Sequence, residues 1–166
     1  MRPVAFLIVY VALLPGCGYY SFTGATIPED LNTIAIPLVV DNSVSTQPNL
    51  DDLLTEQFVQ RFVNQTRLRL EPNEAGADAL LNATITQYRN EPTAVGGDEQ
   101  AALNRVTITV RIVYEDQVND ETLLERTFSG FEDYDPAEGL DQETTAAEEA
   151  LRIIAEDVFT AATSNW

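Results

Sequence analysis

Asn104-Arg105-Val106-Thr107-Ile108-Thr109-Val110-Arg111-Ile112-Val113-Tyr114-Glu115 is the stretch on which the fold turns. Val106, Ile108, Val110, Ile112 and Tyr114 alternate with Arg105, Thr107, Thr109, Arg111 and Val113, a period of two that places the two sets on opposite faces of a strand. One face is apolar and the other mostly polar. Such a strand sits in a sheet covered on one side and wet on the other.

Working outward, Asn119-Asp120 supplies a turn, and Thr122 to Phe131 returns as a second strand. The short connection predicts an antiparallel hairpin. Upstream, Ala79 to Arg89 carries Leu81, Ala83 and Ile85 on one face, and Gly96-Gly97-Asp98 ends it. A first strand, Thr33 to Val40, would place Ile34, Ile36 and Leu38 together. Pro37 removes a ladder donor there and favours an edge or a bulge. Leu68 to Leu70 is a short extended piece, and Pro72 to Asp78 a turn.

Two stretches have helical spacing instead. Leu50, Leu53, Leu54, Phe58, Phe62 and Val63 define a helix from Leu50 to about Gln65, with Asn49 as N-cap and Asp51, Asp52 and Glu56 in the early turns. Ala147, Leu151, Ile154, Val158 and Ala162 stripe a second helix, Asp141 to about Thr163. Elements with one apolar face each assemble most simply as an α/β two-layer sandwich, a mixed sheet of about four strands packed on two helices.

The N-terminus reads differently. Arg2 precedes an apolar run, Val4 to Leu14, which as a helix spans roughly 16 Å against a hydrocarbon core of about 30 Å. That length fits a cleaved signal peptide rather than a membrane span. Leu14-Pro15-Gly16-Cys17 follows and resembles a bacterial lipobox, with Pro15 an unusual residue for it. Cys17 is the one cysteine of the chain, so no disulfide partner competes for it. The expected organisation is a signal peptide at 1–16, a lipidated lead at 17–32 and a single α/β domain at 33–166. The plainer alternative is a secretory signal with a coincidental cysteine. A diacylglyceryl group and an N-acyl chain on Cys17, at about 0.8 kcal/mol per buried methylene, would anchor the protein far beyond reversible binding. No other cofactor is expected. Gly18 follows the cysteine, where an Asp would be an inner-membrane retention signal; by resemblance to lipoprotein sorting this implies the outer membrane, facing the periplasm.

Charge narrows the function classes. The 166 residues carry a formal net charge of −18; all nine basic residues are arginine, and histidine and lysine are absent. No basic stripe exists to neutralise phosphates, which excludes nucleic acid as a partner. An acidic, lysine-free surface suits concentrated salt, where the Debye length falls to about 3 Å; compositional drift is the alternative. Without histidine, lysine or a free thiol, the usual bases and nucleophiles are missing, and no phosphate loop or nucleophile elbow appears. No catalytic residue is expected. Glu132-Asp133-Tyr134-Asp135 with Glu138, Asp141 and Glu143 faintly resembles a calcium loop, but Ala137 falls where Asp or Asn is wanted and Gly139 comes one residue late. A solvated strand end running into a helix N-terminus explains these acids, and no metal ligand is assigned.

Gly16-Cys17-Gly18-Tyr19-Tyr20-Ser21-Phe22-Thr23-Gly24-Ala25 with Ile27-Pro28, then Thr33-Ile34-Ala35-Ile36-Pro37, resembles the start of the LPS-assembly lipoprotein family, LptE. Ala101 to Val110 is similar to its central strand; Phe128-Ser129, Asp133-Tyr134-Asp135 and the terminal Asn165-Trp166 extend the match. The resemblance implies a plug lipoprotein inside the LptD β-barrel that helps deliver lipopolysaccharide to the outer leaflet. Family members are thought to meet lipopolysaccharide through basic side chains, and this chain has few. Arg105, Thr107, Thr109 and Arg111, on the polar face of the central strand, are the candidate contacts for lipopolysaccharide or the barrel, the two arginines being those suited to phosphate. Cross-strand pairing of these arginines with Asp or Glu is the competing expectation. A different function class also stands: a periplasm-facing lipoprotein binding a small ligand or divalent cation on its acidic segment, unrelated to lipopolysaccharide export.

Overall fold

The computed structural model describes residues 27–45, 47–93, 103–139 and 141–164. Six strands form one mixed sheet against two helices: β1 (Thr33–Ala35), β2 (Val40–Asp41), α1 (Leu50–Phe62), β3 (Arg69–Leu70), β4 (Ala79–Pro92), β5 (Asn104–Asp116), β6 (Glu121–Tyr134) and α2 (Asp141–Thr163). The order is β3-β1-β4-β5-β6, with β2 also against β4. β1 and β2 run parallel to β4, and β3 runs parallel to β1. The β4–β5 and β5–β6 pairs are antiparallel. The two-layer α/β sandwich stands, with six strands instead of about four.

The two extra strands have specific origins. Leu68 to Leu70 is long enough for two residues, Arg69 and Leu70, to pair with β1. Pro37, which has no N–H to give, breaks the expected first strand into β1 and β2. The break also shifts the alternation: Leu38 is exposed and Val39 is buried, its N–H bonded to Thr55 Oγ1 at 3.0 Å. Ile34 keeps its inward place, whereas Leu38 does not share it. A one-residue shift inverts every later side chain, and a proline is a common place for one.

The inward face of β5 is as its sequence demands: Val106, Ile108, Val110, Ile112 and Tyr114 are all buried. They meet Leu81, Ala83 and Ile85 of β4, Leu54, Phe58 and Phe62 of α1, and Leu151, Ile154 and Val158 of α2 in one core. Each such side chain stabilises the fold by roughly 1.5–3 kcal/mol. Phe62 is the aromatic hub, with ring centroids 5.4 Å from Phe159, 5.9 Å from Tyr114 and 6.4 Å from Phe58. α1 ends at Phe62, short of Gln65, and Asn49 caps it in a left-handed conformation (φ 60°) with no side-chain cap bond. On α2 the buried alanines Ala146, Ala147, Ala150 and Ala155 let the helix lie close upon the sheet. Gly130 of β6 sits at that approach: a Cβ there would lie 2.3 Å from the Ala150 carbonyl oxygen.

The expected hairpin is present. Asp116 is buried and accepts from the N–H groups of Val118 (2.8 Å) and Asn119 (2.9 Å) and from Asn119 Nδ2 (2.8 Å), while Asp120 takes the left-handed turn position (φ 56°). Among the described residues no helix is long and apolar enough to cross a membrane. The signal peptide, Cys17, the lead up to Thr26, Gly96-Gly97-Asp98 and Asn165-Trp166 lie outside the described residues.

Candidate functional site

With the inner face of the sheet covered by helices, the outer face of β4, β5 and β6 is the extended polar surface. Register fixes its rows. Glu91, Arg105 and Asp133 lie side by side; then Arg89, Thr107 and Phe131; then Gln87, Thr109 and Ser129; then Thr84, Arg111 and Thr127. All four candidate contacts therefore share one face.

They are not equally free. Arg105 grips Asp133 with two bonds, Nε to Oδ1 at 2.7 Å and Nη2 to Oδ2 at 2.8 Å, and its guanidinium lies 4.2 Å above the Phe131 ring. The paired Asp133 raises the Arg105 pKa, and the arginine's hydrogen bonds hold the Asp133 carboxyl below its ordinary value. Arg111 reaches diagonally to Glu125 on β6. Thr109 Oγ1 and Ser129 Oγ are 3.0 Å apart. Thr107 has Arg89 on one side and Phe131 on the other. Cross-strand pairing of the arginines is thus what the sheet contains. A phosphate meeting Arg105 or Arg111 has to compete with a carboxylate already in place.

Arg89 is a feature of this face that strand alternation conceals. Leu81, Ala83 and Ile85 put odd-numbered residues inward, which would turn Arg89 toward the core. The register shifts between Ile85 and Gln87, so beyond it Tyr88 and Asn90 point inward while Arg89 and Glu91 point outward. One extra residue in a strand rephases everything after it. The sequence signal was Thr86-Gln87, two successive polar residues between apolar Ile85 and Tyr88. Arg89 forms no ion pair among the described residues. Phe131, 51 % exposed across Thr107 from it, is the large apolar group of this surface.

Behind the face, polar bonds fasten the far end of the sheet to the start of α2. Tyr88 donates to Glu143 Oε1 at 2.7 Å, and Asn90 Nδ2 donates to the Tyr134 hydroxyl at 2.7 Å. Burial pushes the Glu143 carboxyl up, but hydrogen bonds from Tyr88, Gln47, Asn90 and Tyr134 outweigh it and hold the group below its ordinary value. Burial, reinforced by the same carboxylate, raises the Tyr88 phenol.

The acidic segment is spread over separate tasks. Asp133 pairs with Arg105, Asp135 Oδ1 accepts from the Ala137 N–H at 2.8 Å, and Glu143 takes the tyrosine. Glu132, Asp135, Glu138, Glu148 and Glu149 line an open cleft of about 470 Å³ with Arg152. No group of three or more acidic side chains positioned to hold a metal ion occurs among the described residues.

The family model for LptE, lipopolysaccharide assembly, matches residues 31–162. No curated protein matches in sequence. Among solved structures, the chain is similar to the hypothetical protein CT253 of Chlamydia trachomatis, at 13% identity and a TM-score of 0.56 over 81% of this chain and 99% of that one. It is also similar to a minor lipoprotein of Acinetobacter baumannii, at 13% identity and a TM-score of 0.50 over 83% and 95% of the two chains. At such identities the likeness concerns the fold.

Proposed function

Because this chain belongs to the LptE family of lipopolysaccharide assembly, by a match across residues 31–162, we propose that it is an outer-membrane lipoprotein that plugs an LptD-type β-barrel and assists delivery of lipopolysaccharide to the outer leaflet. In this reading the chain is processed after Gly16, carries its lipid on Cys17, faces the periplasm and performs no chemistry of its own.

The observation that carries the reading is the family match together with the character of the free sheet face. A plug needs one surface for its own core and another for its partner. The outer rows here are threonines, a serine, Gln87, Glu91, Arg89 and the two ion-paired arginines Arg105 and Arg111, with Phe131 as an aromatic exception. Such a surface suits a hydrated, hydrogen-bonded contact, which is what a polar barrel lumen offers. The pairing of Arg105 and Arg111 adds a second property. The face has positive groups without a strong positive field, so a lipid phosphate would be met locally and not drawn from a distance. Arg89, without an ion pair among the described residues and next to Thr107, is the place on the face where an anion displaces no described carboxylate.

The test is co-purification. Mature protein drawn from solubilised outer membrane should bring a stoichiometric large β-barrel with it. Recovery of a bound divalent cation or small ligand with no barrel would overturn the proposal in favour of an independent binding lipoprotein.

A further inference from the structure

The chain enters the described fold at Ile27, and the residues between there and β1 are fastened by several independent contacts. Ile27 and Leu31 are buried, and the Leu31 N–H closes a turn on the Pro28 carbonyl at 3.1 Å. Asp78 accepts from the N–H groups of Asn32 (2.8 Å) and Thr33 (3.0 Å), and Asn119 Nδ2 donates to Asp30 at 2.6 Å. Across this segment lies Arg67, from the connection between α1 and β3. Its guanidinium donates to three main-chain carbonyls, those of Ile27 (3.3 Å), Leu31 (3.1 Å) and Pro28. The chain has 27 acids for nine bases, yet Arg67 forms no ion pair among the described residues. A carboxylate is the stronger acceptor for arginine. An arginine that grips three backbone oxygens in so acidic a protein is holding a particular loop shape.

We propose that Arg67 clamps the exit of the membrane tether, fixing the point at which the lipid-bearing lead leaves the domain and hence which end of the sheet faces the bilayer. The inference rests on Cys17 being the anchored residue. Residues 18–26 separate Cys17 from Ile27. Fully extended, that interval reaches at most about 35 Å. A strand of fourteen residues such as β4 is about 45 Å long. The clamped exit adjoins Asp78 and Asn119, at the end where β4 begins and β5 ends. That end stays near the bilayer, while Pro92, Asn104 and Tyr134, the row at the opposite end, point away. Arg67 is a positioning residue: release of its grip lets the segment before β1 fray and lengthens the tether.

The mature chain, coupled through the thiol of its lone Cys17 to a maleimide lipid in phosphatidylcholine vesicles, provides the test. A fluorophore on an unnatural ketone residue is placed at Val118 in the hairpin turn or at Leu103 at the opposite end, both exposed. Energy transfer to acceptor lipids should be stronger from 118 than from 103. Arg67→Ala should narrow that difference and speed hydrogen exchange at the Leu31 and Asn32 amides roughly tenfold or more, with β4 to β6 still protected. Arg67→Lys, whose ammonium reaches fewer of the three oxygens, should fall between. Equal transfer from both labels in the parent protein, or unchanged exchange and transfer in both Arg67 variants, would overturn the clamp. Since the lipid is attached chemically, these readouts do not depend on cellular processing. The intact mass of the natural protein tests that separately.

Discussion

At the residue scale, two positions carry more than their chemistry suggests. Gly130 faces the backbone of α2, and a methyl group there would meet the Ala150 carbonyl oxygen at 2.3 Å and Ile154 Cγ1 at 2.9 Å. The side chain could yield; the helix backbone cannot without lifting α2. Gly130→Ala should therefore destabilise by about 1–3 kcal/mol, lowering Tm by roughly 2–4 °C per kcal/mol, while Ser129→Ala beside it on the wet face should change little. Equal melting of the two variants would contradict the close crossing. Glu143 makes a different prediction. Its carboxyl is held below its ordinary value in the folded protein, so it adds stability above the unfolded pKa that disappears as pH falls through the folded one. The stability gap between the parent and Glu143→Gln, measured by urea unfolding, should be present at pH 7 and close in the acid range below about pH 4. A gap independent of pH would mean that the charge of Glu143 is not what holds Tyr88 and Tyr134. Neither role was legible in the sequence. Gly130 is one glycine in a strand, and Glu143 is one of many acids, until the helix is laid across the sheet.

At the element scale, β5 is the part read most directly. Its alternation spans the whole strand, and the structure keeps every apolar residue of that set inward. Where alternation is interrupted, reading by period fails for a physical reason. Pro37 cannot donate to the ladder and inverts Leu38 and Val39; the shift after Ile85 inverts the end of β4 and brings Arg89 to the outer face. The candidate surface was thus legible on β5, incomplete on β4, and its partners on β6 were foreseen only as a class of acidic residues. The faces of β5 can be separated by mutation. Thr109→Glu and Arg111→Glu point away from the core and should leave the far-ultraviolet circular dichroism unchanged. Each puts a carboxylate into a partly desolvated contact, in the second case also beside Glu125, and should weaken barrel or lipopolysaccharide capture. Ile108→Glu buries an unpaired charge and should unfold the domain. If all three fold and bind alike, the face assigned to partners is wrong.

At the scale of the whole molecule, charge is the dominant property. Were every arginine paired, eighteen acids would remain unmatched, and like charges at this density oppose the compact state. Most ion pairs among the described residues are exposed and small in their effect: Arg152 bridges Glu149 and Glu156, Arg111 meets Glu125, and Arg105 meets Asp133, while the mostly buried Arg61 reaches Glu156 only at 3.7 Å. Exposed pairs of this kind contribute at most about 1 kcal/mol each, so screening them removes little. Screening the unmatched acids removes a repulsion that extends across the surface, because the Debye length contracts from about 10 Å at 0.1 M salt to about 3 Å at 1 M. The two effects oppose each other, and the number of unmatched acids decides the sign. The unlipidated mature domain should gain stability steadily from dilute buffer to molar potassium chloride. A gain of about 2 kcal/mol corresponds to a Tm increase of roughly 4–8 °C. Potassium chloride is the appropriate salt, since potassium sulfate would also strengthen apolar burial and confuse the cause. A flat Tm across that range would mean that the acids are already spaced widely enough not to repel, and that the missing lysines record drift in composition instead of adaptation to salt. A rise would also bear on the proposed partner: in the plug reading, this charge needs either concentrated salt or a lumen wall whose cations replace it.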